Sequence, residues 1–229
     1  MSLIRELDDV GNVVVDVGPF LGESSVGLAQ ALARLGHHRT MVVAMDTWHE
    51  RTGFVGKFQG EFSWECPEAI DISAWNRQEP SLLFWQFVRN VNGSGFGEKV
   101  IPFPVGSPEA ESRITQLGMN AMRPKLVLVN PTRRAVSLRH DLAAGWDLLR
   151  CGGTLAGSGY HLPTVRPAVD ALAEHLRSAE GPALEVHVVH APGALKWENI
   201  SHPFSDLALI SNTKSNFSTW AFKGKPCVD

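Results

Sequence analysis

Two aspartates and a turn with two glycines stand where an α/β protein could bind a nucleoside. The apolar run 13–17 contains Asp16, and a turn with Gly18 and Gly22 follows it directly. Glycine permits close approach of a ligand to the backbone, and the amides that open a following helix attract an anion. Asp46 ends the next apolar run, where a carboxylate can accept hydrogen bonds from ribose hydroxyls. Together and in this order, these features favour a nucleoside ligand over a purely structural turn.

The turn lacks the motifs that bind phosphate groups. Phe20 stands where the dinucleotide fingerprint Gly-x-Gly-x-x-Gly has its second glycine. The sequence contains neither the Gly-x-x-x-x-Gly-Lys-Ser/Thr phosphate loop nor the Gly-x-Ser-x-Gly motif that presents a nucleophilic serine. The anion bound at this turn could therefore be a carboxylate.

Apolar runs alternate with helical periodicities and predict the sheet that positions these residues. Strands are predicted at 13–17, 41–45, 100–105, 126–129, 154–156, 184–190, 206–210 and 219–222. Helices are predicted between them, at about 24–35, 80–91, 107 onward, 135–149 and 164–176. Ser24 or Ser25 can cap the first helix, and Pro102 and Pro104 place the strand at 100–105 near a sheet edge. The alternation predicts one doubly wound α/β domain over residues 1–229, with a mostly parallel sheet.

Composition narrows the class of protein further. The 229 residues are 44% hydrophobic, with 21 basic and 24 acidic side chains and a formal net charge of −3. This balance gives no generally basic surface, so we expect no nucleic-acid partner. With neither a signal peptide nor an apolar run of roughly 20 residues, we expect a cytoplasmic protein that does not contact a membrane. The three cysteines lie far apart and predict neither a disulfide framework nor a zinc site.

A tryptophan-rich insertion at about 47–79 interrupts the alternation. It contains Trp48, Trp64 and Trp75 and shows no clear period. Loops of this length in compact domains are usually functional or mobile. We interpret Trp48 as a pocket residue because it lies two positions from Asp46, whereas the other two could pack the insertion onto the sheet.

The segment 15–25 resembles the first motif of class I S-adenosylmethionine-dependent methyltransferases, in the subgroup whose loop reads Glu/Asp-x-Gly-x-x-x-Gly-x-Ser. Asp46-Thr47-Trp48 is similar to the second acid of that subgroup, and the likeness extends from about residue 13 to residue 176. It implies a Rossmann-like, seven-stranded sheet whose last two strands form an antiparallel hairpin. It also implies that the loop receives the methionine part of S-adenosylmethionine and that the second acid holds the ribose. The implied cofactor-binding residues are Asp16, Gly18, Pro19, Phe20, Gly22, Ser24, Asp46, Thr47, Trp48, Ser107 and Asn130.

Three features depart from the family pattern. After the fourth strand the subgroup carries Asp-x-x-His, but this chain reads Asn130-Pro131-Thr132-Arg133. After the fifth strand Ser158-Gly159 replaces a pair of acids. Since hard cations prefer carboxylate oxygens, we expect no metal ion, and the usual histidine base is absent. The first strand also begins too early for the helices that often cover the active site in this family. Either the insertion and a partner chain, which could be a second copy, cover the site, or the chain is a shortened family member.

Replacement residues for the chemistry lie at the predicted carboxyl edge of the sheet. His161 follows the fifth strand and is the candidate catalytic base, ahead of His49 and His140. Arg133 and Tyr160 are candidate substrate-binding residues, since an arginine could bind an anionic acceptor through bidentate contacts. Three functions stay open, and the first two are metal-independent methyl transfer from S-adenosylmethionine to a small-molecule acceptor and a cofactor-binding or scaffold protein that has lost catalysis. Another nucleoside-binding enzyme is a third.

Overall fold

The computed structural model describes residues 13–48, 82–116, 123–130, 135–180, 185–191 and 217–223. The strands in these ranges are β1 (Val13–Val17), β2 (Met41–Met45), β3 (Val100–Phe103), β4 (Leu126–Val129), β5 (Thr154–Ser158), β6 (Glu185–Ala191) and β7 (Phe217–Lys223). The helices are α1 (Glu23–Arg34), α2 (Leu82–Gly93), α3 (Ser107–Gln116), α4 (Ala135–Leu148) and α5 (Val165–Glu180).

All seven of these strands join one sheet in the order β3-β2-β1-β4-β5-β7-β6. Strands β1 to β5 run parallel, and β7 runs antiparallel to both of its neighbours. The predicted parallel sheet with a C-terminal antiparallel pair is therefore confirmed. The chain moves outward from β1 to β3 and then returns to β4 on the other side of β1. The carboxyl ends of β1 and β4 thus flank the point where the strand order reverses, which is where ligands bind in such sheets.

The central strand β1 is buried on both faces, which fixes the residues at its carboxyl end. Val14 packs into a core with α1 and α2 that includes Leu28 and Phe87. Val15 packs into a second core with α4 and α5 that includes Leu142. Successive side chains of a strand point to opposite faces, so Asp16 lies on the same face as Val14, beneath α1.

Several boundaries differ from the sequence prediction. Strand β3 is confirmed at the sheet edge but ends at Phe103, and β5 continues to Ser158. The predicted strand at 206–210 and the insertion beyond Trp48 lie outside the described residues. None of the described helices is long and apolar enough to cross a membrane. Cys151, in the turn after α4, is disulfide-bonded, which the wide spacing of the three cysteines did not indicate.

Candidate functional site

A buried carboxylate, Asp16, forms the centre of the candidate site. Its Oδ2 accepts hydrogen bonds from the hydroxyls of Ser24 (2.7 Å) and Ser25 (2.6 Å), both in the first turn of α1. Its Oδ1 accepts a hydrogen bond of 2.7 Å from Nδ2 of Asn130, which directly follows β4. The three donors join β1, α1 and β4 at the switch point of the sheet.

These contacts oppose the cost of burying Asp16. Burial raises the pKa of this carboxyl from 3.8, the hydrogen bonds from Ser25, Ser24 and Asn130 lower it, and the charge of Asp46 raises it again. The resulting pKa is about 6. A pKa of about 6 makes the ionised form the major one at neutral pH, and within the described residues its hydrogen-bond donors are neutral groups.

The turn between β1 and α1 requires glycine at both of its ends. Gly18 has a φ of 73° and Gly22 a φ of 96°, and both values lie in the left-handed region that favours glycine. At Gly22 a Cβ would also lie 3.1 Å from the Phe87 ring and from a methyl group of Val91. At Gly22 the turn thus packs against α2 with no room for a side chain.

The first turn of α1 presents its backbone amides without a side-chain cap. The residue at the N-cap is Gly22, and no side chain bonds to the amides that follow. The predicted capping by Ser24 or Ser25 is therefore wrong, because both hydroxyls are donated to buried Asp16 instead. A helix start in this state offers hydrogen-bond donors and a positive dipole end to an anionic group.

A second set of contacts joins the turn to the end of β2. Asp46 accepts hydrogen bonds from the backbone amides of Phe20 (3.3 Å, Oδ2) and Trp48 (3.0 Å, Oδ1). The indole Nε1 of Trp48 in turn donates to the backbone oxygen of Phe20 at 2.9 Å. The backbone N–H and C=O of Phe20 are thus both hydrogen-bonded to side chains that follow β2. We call Phe20, Asp46 and Trp48 the clasp.

The interpretation of Trp48 as a pocket residue needs correction. Its side chain is 2% exposed and belongs to the core. The ring lies 4.7 Å from the Phe87 ring and 5.2 Å from the Phe84 ring, measured between centroids. Packing against α2 and the indole hydrogen bond turn the side chain toward the core. Trp48 therefore supports the turn and does not offer an exposed ring face to a ligand.

Helix α2 contributes residues that the sequence reasoning did not single out for the site. Nδ2 of Asn90 donates to the backbone oxygen of Leu21 at 2.9 Å, and Oδ1 of Asn90 accepts from Nε2 of Gln86 at 2.7 Å. These two polar side chains lie one helical turn apart on α2. That spacing was the available signal, but nothing in the sequence indicated that their partner would be the β1 turn.

Beyond β5 lies a separate polar cluster. The hydroxyl of Tyr160 donates to Oδ1 of Asp170 at 2.6 Å, and this hydrogen bond raises the pKa of Tyr160. Nε of Arg166 lies 3.6 Å from Oδ2 of Asp170, and its guanidinium lies 5.8 Å from the centre of the Tyr160 ring. His161 follows Tyr160 and is exposed. Both candidate residues after β5 therefore lie near the start of α5.

The fold brings most of the predicted site residues to one edge of the sheet. Those at the carboxyl ends of β1, β2 and β4 are Asp16, Gly18, Pro19, Phe20, Gly22, Ser24, Asp46, Thr47, Trp48 and Asn130. Ser107 begins α3 after the edge strand β3, whereas Arg133 and His49 lie outside the described residues. Within the described ranges, no three histidine, cysteine, aspartate or glutamate side chains are grouped to hold a metal ion.

The fold is a doubly wound, mostly parallel sheet, and several solved structures with a similar fold are named methylases or methyltransferases. A rRNA methylase from Streptococcus thermophilus is 12% identical with a TM-score of 0.53, over 97% of this chain and 92% of that one. A putative rRNA methylase from Clostridium thermocellum is 13% identical with a TM-score of 0.54, over 96% and 90%. The O-methyltransferase TomG from Streptomyces achromogenes, solved with SAM, is 13% identical with a TM-score of 0.52, over 97% and 78%. No protein-family model and no curated protein matches the sequence.

At these sequence identities the likeness shows the fold alone. It also bears on the expectation that the protein has no nucleic-acid partner. The inference of no nucleic-acid partner is wrong, because two of the structures with this fold are named rRNA methylases. A near-balanced net charge does not describe how charges are distributed over a surface, so it does not exclude such partners.

Proposed function

We propose that the carboxyl edge of β1, β2 and β4 binds S-adenosylmethionine, and that the chain transfers a methyl group to a small-molecule acceptor without a metal ion. The observation that carries this proposal is the β1 turn, held between Asp16 and Asp46 beside the uncapped start of α1. The fold shared with methyltransferase structures supports it.

The charges around the turn favour this cofactor over a dinucleotide. Asp16, Glu23 and Asp46 surround the turn, and burial raises the pKa of Glu23. Carboxylates repel a pyrophosphate but attract the ammonium and sulfonium groups of S-adenosylmethionine. The amides that open α1 can receive the methionyl carboxylate, which is a single anionic group. The residues present therefore fit a ligand with two positive centres and one negative end.

Asp46 is suited to hold the ribose. Its two oxygens already accept from the amides of Phe20 and Trp48, which fixes the plane of the carboxylate. An ionised carboxylate accepts hydrogen bonds only and has about four acceptor positions. Two ribose hydroxyls are donors of the right kind.

When bound, S-adenosylmethionine supplies a methyl group on a sulfonium, open to in-line displacement by an acceptor. The contribution of this chain is to hold donor and acceptor in near-attack geometry, which can account for much of the rate. A base is needed where the acceptor must lose a proton. We assign that role to His161, with Tyr160 beside the acceptor, because both follow β5 at the same edge as the turn.

The acceptor class is tested by methyl transfer in the presence of a chelator. The protein is incubated with S-adenosylmethionine carrying a labelled methyl group, together with a small-molecule library or total ribosomal RNA. Label in a small molecule, undiminished by the chelator, supports the proposal. Label in RNA alone would assign the acceptor class named for two of the similar structures. Cofactor binding with no transfer to either would favour a scaffold that has lost catalysis.

A further inference from the structure

Asn130, at the end of β4, forms hydrogen bonds with residues on both sides of the β1 turn. Its Nδ2 lies 2.7 Å from Oδ1 of Asp16, 3.0 Å from the hydroxyl of Ser24 and 3.4 Å from the backbone oxygen of Val17. Its backbone amide also donates to the Val17 oxygen at 2.9 Å. The end of β4 is thus tied to β1 and to the first turn of α1.

The surroundings fix which way the Asn130 amide faces. The Asp16 carboxylate and the Val17 carbonyl can only accept hydrogen bonds, so the NH₂ group must point toward them. No described residue donates to Oδ1 of Asn130. That oxygen is left as an acceptor at the edge where the ligand is proposed to bind.

A carboxylate at this position would be incompatible with an ionised Asp16. Two carboxyl groups within hydrogen-bond distance cannot both ionise without strong repulsion, so one of them keeps a proton. The hydroxyls of Ser24 and Ser25 on α1 are neutral, and the other charge acting on Asp16 is that of Asp46, directly after β2, which is also acidic. Within the described residues, no cation among these neighbours could offset a second negative charge.

We propose that Asn130 is a positioning residue whose neutral amide ties β4 to Asp16 and Ser24 and so holds the Gly18–Gly22 turn for its ligand. The proposal rests on the proposed function for the identity of that ligand. The end of β4 supports the cofactor turn, and the groups that act on the acceptor must come from elsewhere, such as the residues after β5.

The test compares Asn130→Asp with Asn130→Ala and with the reciprocal exchange Asp16→Asn/Asn130→Asp. Thermal melting of the ligand-free protein and calorimetric titration with S-adenosylhomocysteine are measured at pH 5.5 and pH 8. For Asn130→Asp we expect a melting temperature about 5–10 °C below wild type at pH 8, with about tenfold weaker binding. Both deficits should shrink at pH 5.5, where the carboxyl pair holds a proton. Asn130→Ala removes the same donor without adding a charge, so its deficit should change less between the two pH values than that of Asn130→Asp.

The reciprocal exchange separates a specific tether from general damage. It restores one carboxylate and one amide, so at pH 8 it should recover much of the melting temperature that Asn130→Asp loses, even where the single variant folds poorly. The proposal is overturned by an Asn130→Asp protein that melts and binds like wild type at both pH values, or by an exchange that recovers nothing. If the wild type binds no S-adenosylhomocysteine while melting shows the expected pattern, the proposed ligand fails and the tether stands.

Discussion

The indole Nε1 of Trp48 donates a hydrogen bond of 2.9 Å to the backbone oxygen of Phe20, across 28 positions of sequence. Both residues adopt left-handed backbone conformations, with φ values of 47° and 52°. Such conformations cost about 1 kcal/mol or more in residues other than glycine and persist where their surroundings over-determine them. Here the surroundings are the hydrogen bonds of the clasp and the aromatic packing on α2.

Replacement of Trp48 by phenylalanine should loosen the turn while keeping an aromatic ring in the core. The Phe20 oxygen loses its indole donor, so we expect the free energy of unfolding to fall by about 1–3 kcal/mol and cofactor affinity to fall with it. Urea unfolding and titration with S-adenosylhomocysteine measure the two effects. Trp85→Phe is the matched control, because Trp85 is 51% exposed on the neighbouring helix. Equal effects of the two substitutions would show that the indole hydrogen bond is unimportant.

Gly22→Ala tests whether α2 presses on the turn. The methyl group would adopt an unfavourable φ and also meet Phe87 and Val91 at 3.1 Å. Gly36→Ala serves as control, since Gly36 has a φ of 84° but nothing within 4 Å of the added methyl. We expect about 1 kcal/mol of destabilisation at Gly36 and about 2–4 kcal/mol at Gly22. Similar losses in denaturant unfolding at the two sites would remove the packing argument.

The raised pKa of Asp16 makes stability depend on pH in a definite direction. With a pKa of 3.8 in the unfolded chain and about 6 in the folded protein, the folded state binds more protons between these values. The contribution of Asp16 to stability should therefore fall as pH rises from about 4 to about 6, by on the order of 2–3 kcal/mol. Asp16→Asn should flatten this part of the profile. If the stability of Asp16→Asn changed with pH between about 4 and about 6 as that of wild type does, a group other than Asp16 would be responsible for the titration.

His161→Ala tests the assignment of the catalytic base. Turnover should fall by about 10²–10⁴-fold for an acceptor that loses a proton, while affinity for S-adenosylhomocysteine stays unchanged. His175→Ala, at an exposed histidine on α5, controls for removal of a surface imidazole. Turnover equal to that of the control would leave His161 as an ordinary surface residue.

The parts of the fold and site that could be predicted are those encoded locally. The run 13–17, the two turn glycines and Asp46 identified the β1 turn and the sheet edge, because strand burial and left-handed turns depend on neighbouring residues. The direction of the Trp48 ring could not be predicted, since it depends on Phe84 and Phe87 in a distant helix.

The serines at the start of α1 also form contacts that local sequence preferences did not predict. Ser24 and Ser25 match a helix cap by local preference, yet both bond to Asp16 because a buried carboxylate needs donors more than a helix end does. The tie from Asn130 to Asp16 spans 114 positions, so no local pattern could reveal it.

The central claim, that the β1 turn and Asp46 form a cofactor site, is tested most directly by calorimetric titration with S-adenosylhomocysteine. Wild type, Asp46→Ala and the control Glu174→Ala, an exposed acid on α5, are titrated side by side. The account predicts one-site binding by wild type and control, with Asp46→Ala weaker by about 1–3 kcal/mol, or roughly 5- to 150-fold. Wild-type binding that Asp46→Ala retains in full, or no binding by a folded wild type, would contradict it.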